Sequence, residues 1–227
     1  MAHKVLGSVQ PAYLAWVPFY QRMCESDVFV YLDDVKYSKN SFHNRNRIMT
    51  AQGSVMLTVP VKYSGNSSAT IRDISIDNST PWARKHWRTI SQAYGKAPYF
   101  DSLGPQLEEQ VYTRQWASLG ELNVALAELF RSFLAIETPC YRSSQLQVSG
   151  QGNEKLVNLC RELGADTFIV KPGTESYHPR EYFEAHNIGF KYFTPESRSY
   201  PQLHDGFLPG LSILDYAMNC GPGAFES

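Results

Sequence analysis

The chain is poor in the residues that mark crosslinking, metal binding and phosphate binding. Its four cysteines, Cys24, Cys140, Cys160 and Cys220, show no C-x-x-C spacing and have no histidine neighbours to complete a zinc quartet. That speaks against a disulfide scaffold and a structural zinc site. His178 and His186 stand eight residues apart with no third ligand in sight, so no metal is expected. No apolar run approaches bilayer length, and residues 5–9 are too few for the apolar segment of a signal peptide. A cytoplasmic, soluble protein without membrane insertion is the expectation. An excess of one charge is missing too: 21 Lys+Arg stand against 22 Asp+Glu. Binding to a phosphate backbone rests on clustered cations, so no nucleic-acid partner is expected. Phosphate motifs are also absent, with no G-K-[ST] loop, no G-x-G-x-x-G and no H-x-G-H of the nucleotidylyltransferases.

What remains is the composition of a globular protein, with 43% hydrophobic and 19% charged residues over a length of 227. A single domain over 1–227 follows. Residues 5–9 and 28–32 predict strands around a helix over 18–26, an order that suits parallel strands joined by a right-handed crossover. Residues 42–49, 54–61 and 70–76 predict three more strands, as a mixed or antiparallel edge. Helices are predicted over 81–94, over 118–133 with Ser118 and Glu121 as a capping pair, over 153–163, 179–186 and 211–219. Strands at 141–148, 167–170 and 188–193 complete an α/β fold with a mostly parallel central sheet and flanking helices.

Five constellations carry chemistry or merely pack. Gln10, Tyr13 and Trp16 lie in the loop after the first strand, at the carboxyl edge where open α/β sheets bind ligands, or plug the end of the core. Asp33, Asp34, His43, Arg45 and Arg47, with Asn44 and Asn46 between them, set a cationic strip beside two carboxylates; the two-residue period aligns the three basic groups on one face. Such a strip clamps a phosphate or carboxylate, or is an ion-paired surface. Residues 149–153 open a helix with glycines and an Asn cap. His86, beside Trp82, Trp87, Ile90 and Tyr94, is either a packed ring or a general base, with an unperturbed pKa of about 6.5. Ser212 and Asp215, one turn apart, face one cleft or start a helix.

VQPAYLAW at 9–16, DVFVYLDDV at 27–35, NRNRI at 44–48, LTVPV at 57–61, the Trp82–His86 pair, the segment 93–100 and LSILD at 211–215 together resemble the WbqC-like family over essentially the whole chain. The family's loop usually reads Q-P-x-Y-L-P-W, so Ala15 stands where a proline is usual. Members typically lie among bacterial genes for O-antigen and other surface or secondary-metabolite pathways. The resemblance implies one pocket drawn from Gln10, Tyr13, Trp16, Asp33, Asp34, Asn44, Arg45, Asn46, Trp82, His86, Tyr94, Ser212 and Asp215. With that company, the expected activity is transfer of an acyl or aminoacyl group to an amine, such as that of a nucleotide-linked amino sugar. His86, Asp34 or Asp33 would serve as base, and Arg45, Arg47 or the Asn44 and Asn46 amides would hold the substrate or its oxyanion. No tightly bound cofactor is expected. The partners are a small-molecule substrate and an acyl donor presented as a carrier-protein thioester, coenzyme A or an acyl adenylate. The rival functions are a non-catalytic binding or scaffold protein of a polysaccharide-assembly complex and a nucleotide-dependent ligase.

Overall fold

The structure is a computed structural model that describes residues 3–63, 68–196, 199–204 and 206–223. The strands are β1 (Val5–Val9), β2 (Val28–Tyr31), β3 (Arg45–Thr50), β4 (Gly53–Thr58), β5 (Val61–Lys62), β6 (Ser75–Ile76), β7 (Cys140–Arg142), β8 (Thr167–Val170) and β9 (Gly189–Tyr192). The helices are α1 (Val17–Cys24), α2 (Trp82–Tyr94), α3 (Phe100–Leu107), α4 (Leu119–Phe133), α5 (Gly152–Glu162), α6 (Arg180–Glu184) and α7 (Ile213–Cys220). Among the described residues no helix is long and apolar enough to cross a membrane. The chain divides into two compact units, one of residues 1–10, 18–32 and 137–197, the other of 11–17, 33–136 and 198–227.

The first unit holds a five-stranded, all-parallel sheet in the order β7-β2-β1-β8-β9. Its central strands are short apolar runs because helices cover both faces, and β2 is buried at every position. Leu6, Val28, Val30, Phe168 and Val170 pack on Leu156, Val157 and Cys160 of α5 and on Phe183 of α6. Phe19 of α1 stacks near-parallel with Tyr31 and meets Phe29 edge-on. Gly7 is required where β1 meets the end of α1, since a Cβ there would lie 2.1 Å from Ser26 Oγ.

Two predictions for this unit fail for local reasons. The strand expected over 141–148 ends at Arg142, because the register runs Phe29–Cys140 to Tyr31–Arg142 and β2 stops there; a 3₁₀ turn, Ser143–Gln145, follows. Asn153 does not cap α5. Gln151 holds the cap position, while the Asn153 amide donates to the Tyr177 carbonyl and its Oδ1 meets His178 Nδ1.

The second unit contains α2, α3, α4 and α7 and two antiparallel pairs, β3–β4 and β5–β6, each a separate sheet instead of an edge of the central one. The strand expected over 70–76 is mostly a 3₁₀ turn, Ile71–Asp73, because the Asp73 carboxylate turns back onto the Thr70 N–H and hydroxyl and competes with strand pairing. Sequence reasoning missed α3 and the π turn Glu108–Tyr112 behind it. Gly104 and Pro105 disguise that helix. Burial of Leu103 and Leu107, and the Phe100 ring lying against Gly104, outweigh the poor propensity.

Candidate functional site

Within the second unit the segment 11–17 is built into the core: Ala12, Tyr13, Leu14 and Ala15 are all buried. Leu14 sits at φ +46°, a conformation an L residue with a bulky side chain adopts only under constraint. The constraint is a ring of hydrogen bonds. The Tyr13 N–H donates to the Phe42 and His43 carbonyls at 3.1 and 3.2 Å, and the Ile213 N–H donates to the Ala15 carbonyl at 2.6 Å. The Asn46 amide donates to the Leu14 carbonyl at 2.7 Å while its Oδ1 accepts the Arg47 N–H at 2.8 Å. From α4, the Asn123 amide donates to the Pro11 and His43 carbonyls. Asn44 likewise braces the hairpin, donating to the Val59 carbonyl at 2.9 Å. The two asparagine amides expected to face a substrate oxyanion therefore hold main chain.

Tyr13 is the centre of a second array. Its hydroxyl lies 2.8 Å from His86 Nδ1 and 2.9 Å from the Tyr112 hydroxyl. Trp82, one turn before His86, meets the imidazole edge-on at 5.4 Å and anchors its own Nε1 on Asn78. Burial lowers the His86 pKa to about 4, opposed by a hydrogen bond to the Thr58 backbone. The imidazole is thus neutral and has one N–H. A carbonyl only accepts, so the partners assign that proton to Nε2, facing Thr58, and leave Nδ1 bare. The Tyr13 hydroxyl then donates to Nδ1 and accepts from Tyr112. A directed chain results, Tyr112 to Tyr13 to His86 to the Thr58 carbonyl. Desolvation raises the pKa of both phenols, Tyr13 well above its ordinary value, so both are protonated. The chain can pass a proton inward from Tyr112. His86 is not the open, near-neutral base its residue type suggests.

The cationic strip is shorter than the sequence pattern implies. β3 begins at Arg45, so His43 precedes the strand; it is buried, and burial lowers its pKa to about 4. Arg45 and Arg47 do share a face. The Arg45 guanidinium donates to the Asn40 carbonyl. Arg47 is tied through its main chain, its carbonyl accepting the Ser212 N–H at 3.0 Å. Its guanidinium reaches toward Gly210 and makes no hydrogen bond or ion pair among the described residues. Trp16 forms a β-bridge with Ser212, and its ring packs on Phe42 at 5.6 Å. Phe42 is half exposed. A cation and an aromatic pair thus flank the same bridge.

Asp215 of α7 is 1% exposed. Tyr94 donates to Oδ1 at 2.8 Å, and Tyr200 and Gln202 donate to Oδ2, each at 2.9 Å. Burial raises its pKa, against the pull of those three donors. Tyr94 also accepts the Met49 N–H, so one carboxylate ties α2, β3, α7 and the segment 200–208. Ser212 does not bond Asp215 through its hydroxyl, which is buried without a partner among the described residues; their main chains connect, the Asp215 N–H donating to the Ser212 carbonyl.

Comparison of the whole sequence places the chain among known proteins: residues 10–227 match the WbqC-like protein family. The chain belongs to that family. It is also 33% identical over 222 residues to the uncharacterized protein Rv1507c of Mycobacterium tuberculosis, a match covering 97% of this chain and 96% of that one. No solved structure matches.

Eight of the WbqC-like motif residues meet in three groups. Tyr13, Trp82 and His86 meet in the hydroxyl–imidazole chain, and Tyr94 and Asp215 meet in the carboxylate cluster. Trp16, Arg47 and Ser212 meet at the bridge. Of the rest, Asn44, Arg45 and Asn46 donate to main-chain carbonyls, Asp33 is buried with its carbonyl on the Arg72 N–H, Asp34 is partly buried, and Gln10 belongs to the first unit, exposed directly after β1. Sequence reasoning missed Tyr112 and Asn123 as members of these arrays. Asn123 carried a signal, a polar residue on the helix stripe of Leu119 and Leu126. Tyr112 carried none, since it closes a π turn that no periodicity marks.

Proposed function

We propose that this WbqC-like protein transfers an acyl or aminoacyl group from a thioester donor to a primary amine, such as that of a nucleotide-linked amino sugar, in a bacterial surface-polysaccharide or secondary-metabolite pathway. The observation that carries the proposal is the buried Tyr112–Tyr13–His86 chain. Acylation of an amine must remove a proton from nitrogen as the C–N bond forms, and a chain ending on a bare imidazole nitrogen supplies a place for it. The amine attacks the thioester carbonyl and gives its proton to Tyr112 Oη. Tyr112 passes its own proton to Tyr13, and Tyr13 passes its proton to His86 Nδ1. Collapse of the tetrahedral intermediate breaks the C–S bond, and the thiolate recovers the proton from the imidazolium along the same chain. The products are an amide and a thiol. Arg47 holds an anionic group of the substrate, its guanidinium being unengaged within the described residues.

The test is direct: the protein is incubated with coenzyme A and carrier-protein thioesters and a panel of nucleotide-linked amino sugars, and amide products are read by mass spectrometry. Product is expected, falling by roughly 10²-fold or more in Tyr112→Phe at near-unchanged melting temperature. Absence of product from every donor and amine pair, or full turnover in Tyr112→Phe, overturns the proposal.

A further inference from the structure

The outer face of the β3–β4 hairpin combines charge with apolar surface. Side chains alternate along a strand, so Asn46 and Ile48 are buried while Arg45 and Arg47 share the outer face. The register sets Met56, 46% exposed, opposite Arg47. Arg47 also borders an aromatic surface. Its carbonyl accepts the Ser212 N–H, and Ser212 forms the bridge to Trp16, whose ring packs on Phe42. Two strand spacings thus separate the main chains of Arg47 and Trp16, about 10 Å in all. A cation and an aromatic pair stand at the two ends of that span.

The fold engages neither the Arg47 guanidinium nor the outer half of Phe42. Arg47 is only partly exposed, yet its guanidinium makes no hydrogen bond or ion pair among the described residues. Gly210 leaves it uncovered on one side, where a Cβ would stand 3.9 Å from Nη2. Phe42 is half exposed although its main chain is fixed: its carbonyl accepts the Tyr13 N–H, and the Ser41 hydroxyl braces the turn through Ser38 and His43. A ring held in place and half in water offers apolar area to a flat ligand at little cost in ordering.

We propose that this surface binds a nucleoside diphosphate, its base stacked on Phe42 and its phosphates held by the Arg47 guanidinium, with the Arg45 charge on the same face adding to the attraction. The inference deepens the reading above: it takes the anionic role of Arg47 from it and names the group that carries the charge. A planar guanidinium matches two phosphate oxygens at once, and an exposed ring offers a π face to a base. A sugar phosphate leaves Phe42 in water, and a nucleoside leaves Arg47 without an anion. In an aromatic carboxylate the charge sits on the ring itself. In a nucleotide a ribose separates base from phosphate, which suits two ends set two strands apart. Because Phe42 meets the face of the base and not its edge, uridine and adenosine diphosphates should bind within a few-fold of each other.

Calorimetric titration of the full chain with uridine diphosphate tests it, beside adenosine diphosphate, uridine and ribose 5-phosphate. Uridine diphosphate is expected to bind and to raise the melting temperature; uridine and ribose 5-phosphate, each keeping one end only, should bind roughly tenfold more weakly or worse. Arg47→Lys keeps the charge but loses the fork, and Phe42→Ala loses the ring; each is expected to weaken binding roughly tenfold while the melting temperature of the free protein stays unchanged. Phe42→Trp keeps a π face and should retain affinity. A protein that shows neither heat nor a melting shift at millimolar uridine diphosphate, that binds ribose 5-phosphate as tightly, or whose affinity survives both Arg47→Lys and Phe42→Ala overturns the proposal. Nucleotide binding without any amide product sinks the reaction and upholds this site; amide formation on a nucleotide-free amine, with no nucleotide binding, does the reverse.

Discussion

Glutamine in place of His86 gives the sharpest measurement, because it keeps an acceptor for Tyr13 and a donor for Thr58 but cannot titrate. In the folded protein the imidazole has a pKa of about 4, against 6.5 when free. Between those values the unfolded chain binds a proton that the folded chain refuses. Stability therefore rises with pH across the window, is fully present above about 6.5, and is lost as pH falls toward 4. At about 1.4 kcal/mol per pH unit the whole depression corresponds to about 3 kcal/mol, of which about 2 kcal/mol disappears between pH 7 and pH 5. His43 has the same folded-state value, also through burial, and contributes a similar slope. Urea unfolding of the wild type should thus show about 4 kcal/mol less stability at pH 5 than at pH 7 from these two rings, and His86→Gln about half that loss. A His86→Gln protein whose stability falls over this range as steeply as the wild type would refute the buried, neutral imidazole. Turnover reports on the same ring: with its pKa near 4, His86 should place no inflection in the rate between pH 6 and 8.

Asn46→Ala strips the Leu14 carbonyl and the Arg47 N–H of their partner inside the protein, and a loss of about 2–4 kcal/mol in urea unfolding is expected; a loss under about 0.5 kcal/mol would mean the strained segment holds itself. Gly7→Ala drives a methyl group into Ser26 Oγ, which is itself engaged with the Arg22 carbonyl, and should cost about 1–3 kcal/mol; an unchanged unfolding midpoint would mean that the end of α1 yields freely.

The parallel sheet was legible in the chain because strands buried on both faces must be short unbroken apolar runs, and 5–9, 28–32 and 167–170 are such runs set between helices with caps and periodic stripes. The same local signals marked α2, α4 and α7 and placed Trp82 and His86 one turn apart. Residue type also singled out Tyr13, Asn46 and Asp215 as unusual. What each of them does was decided only by the fold. Asn44 and Asn46 read as substrate amides, yet they bond main chain: Asn46 because a buried segment with Leu14 at positive φ needs partners that its own backbone cannot supply, and Asn44 because it braces the hairpin at Val59. His43, Arg45 and Arg47 share the two-residue period on paper. The strand starts at Arg45, where pairing with Thr58 begins, and His43 falls into the core. His86 has the ordinary pKa of its type in the sequence and a value near 4 in the structure, since desolvation depends on neighbours far along the chain. Tyr112 joins Tyr13 across 99 residues through a π turn behind a proline-containing helix. Local propensity marks where elements form, whereas partners at long sequence separation are set by how the elements pack.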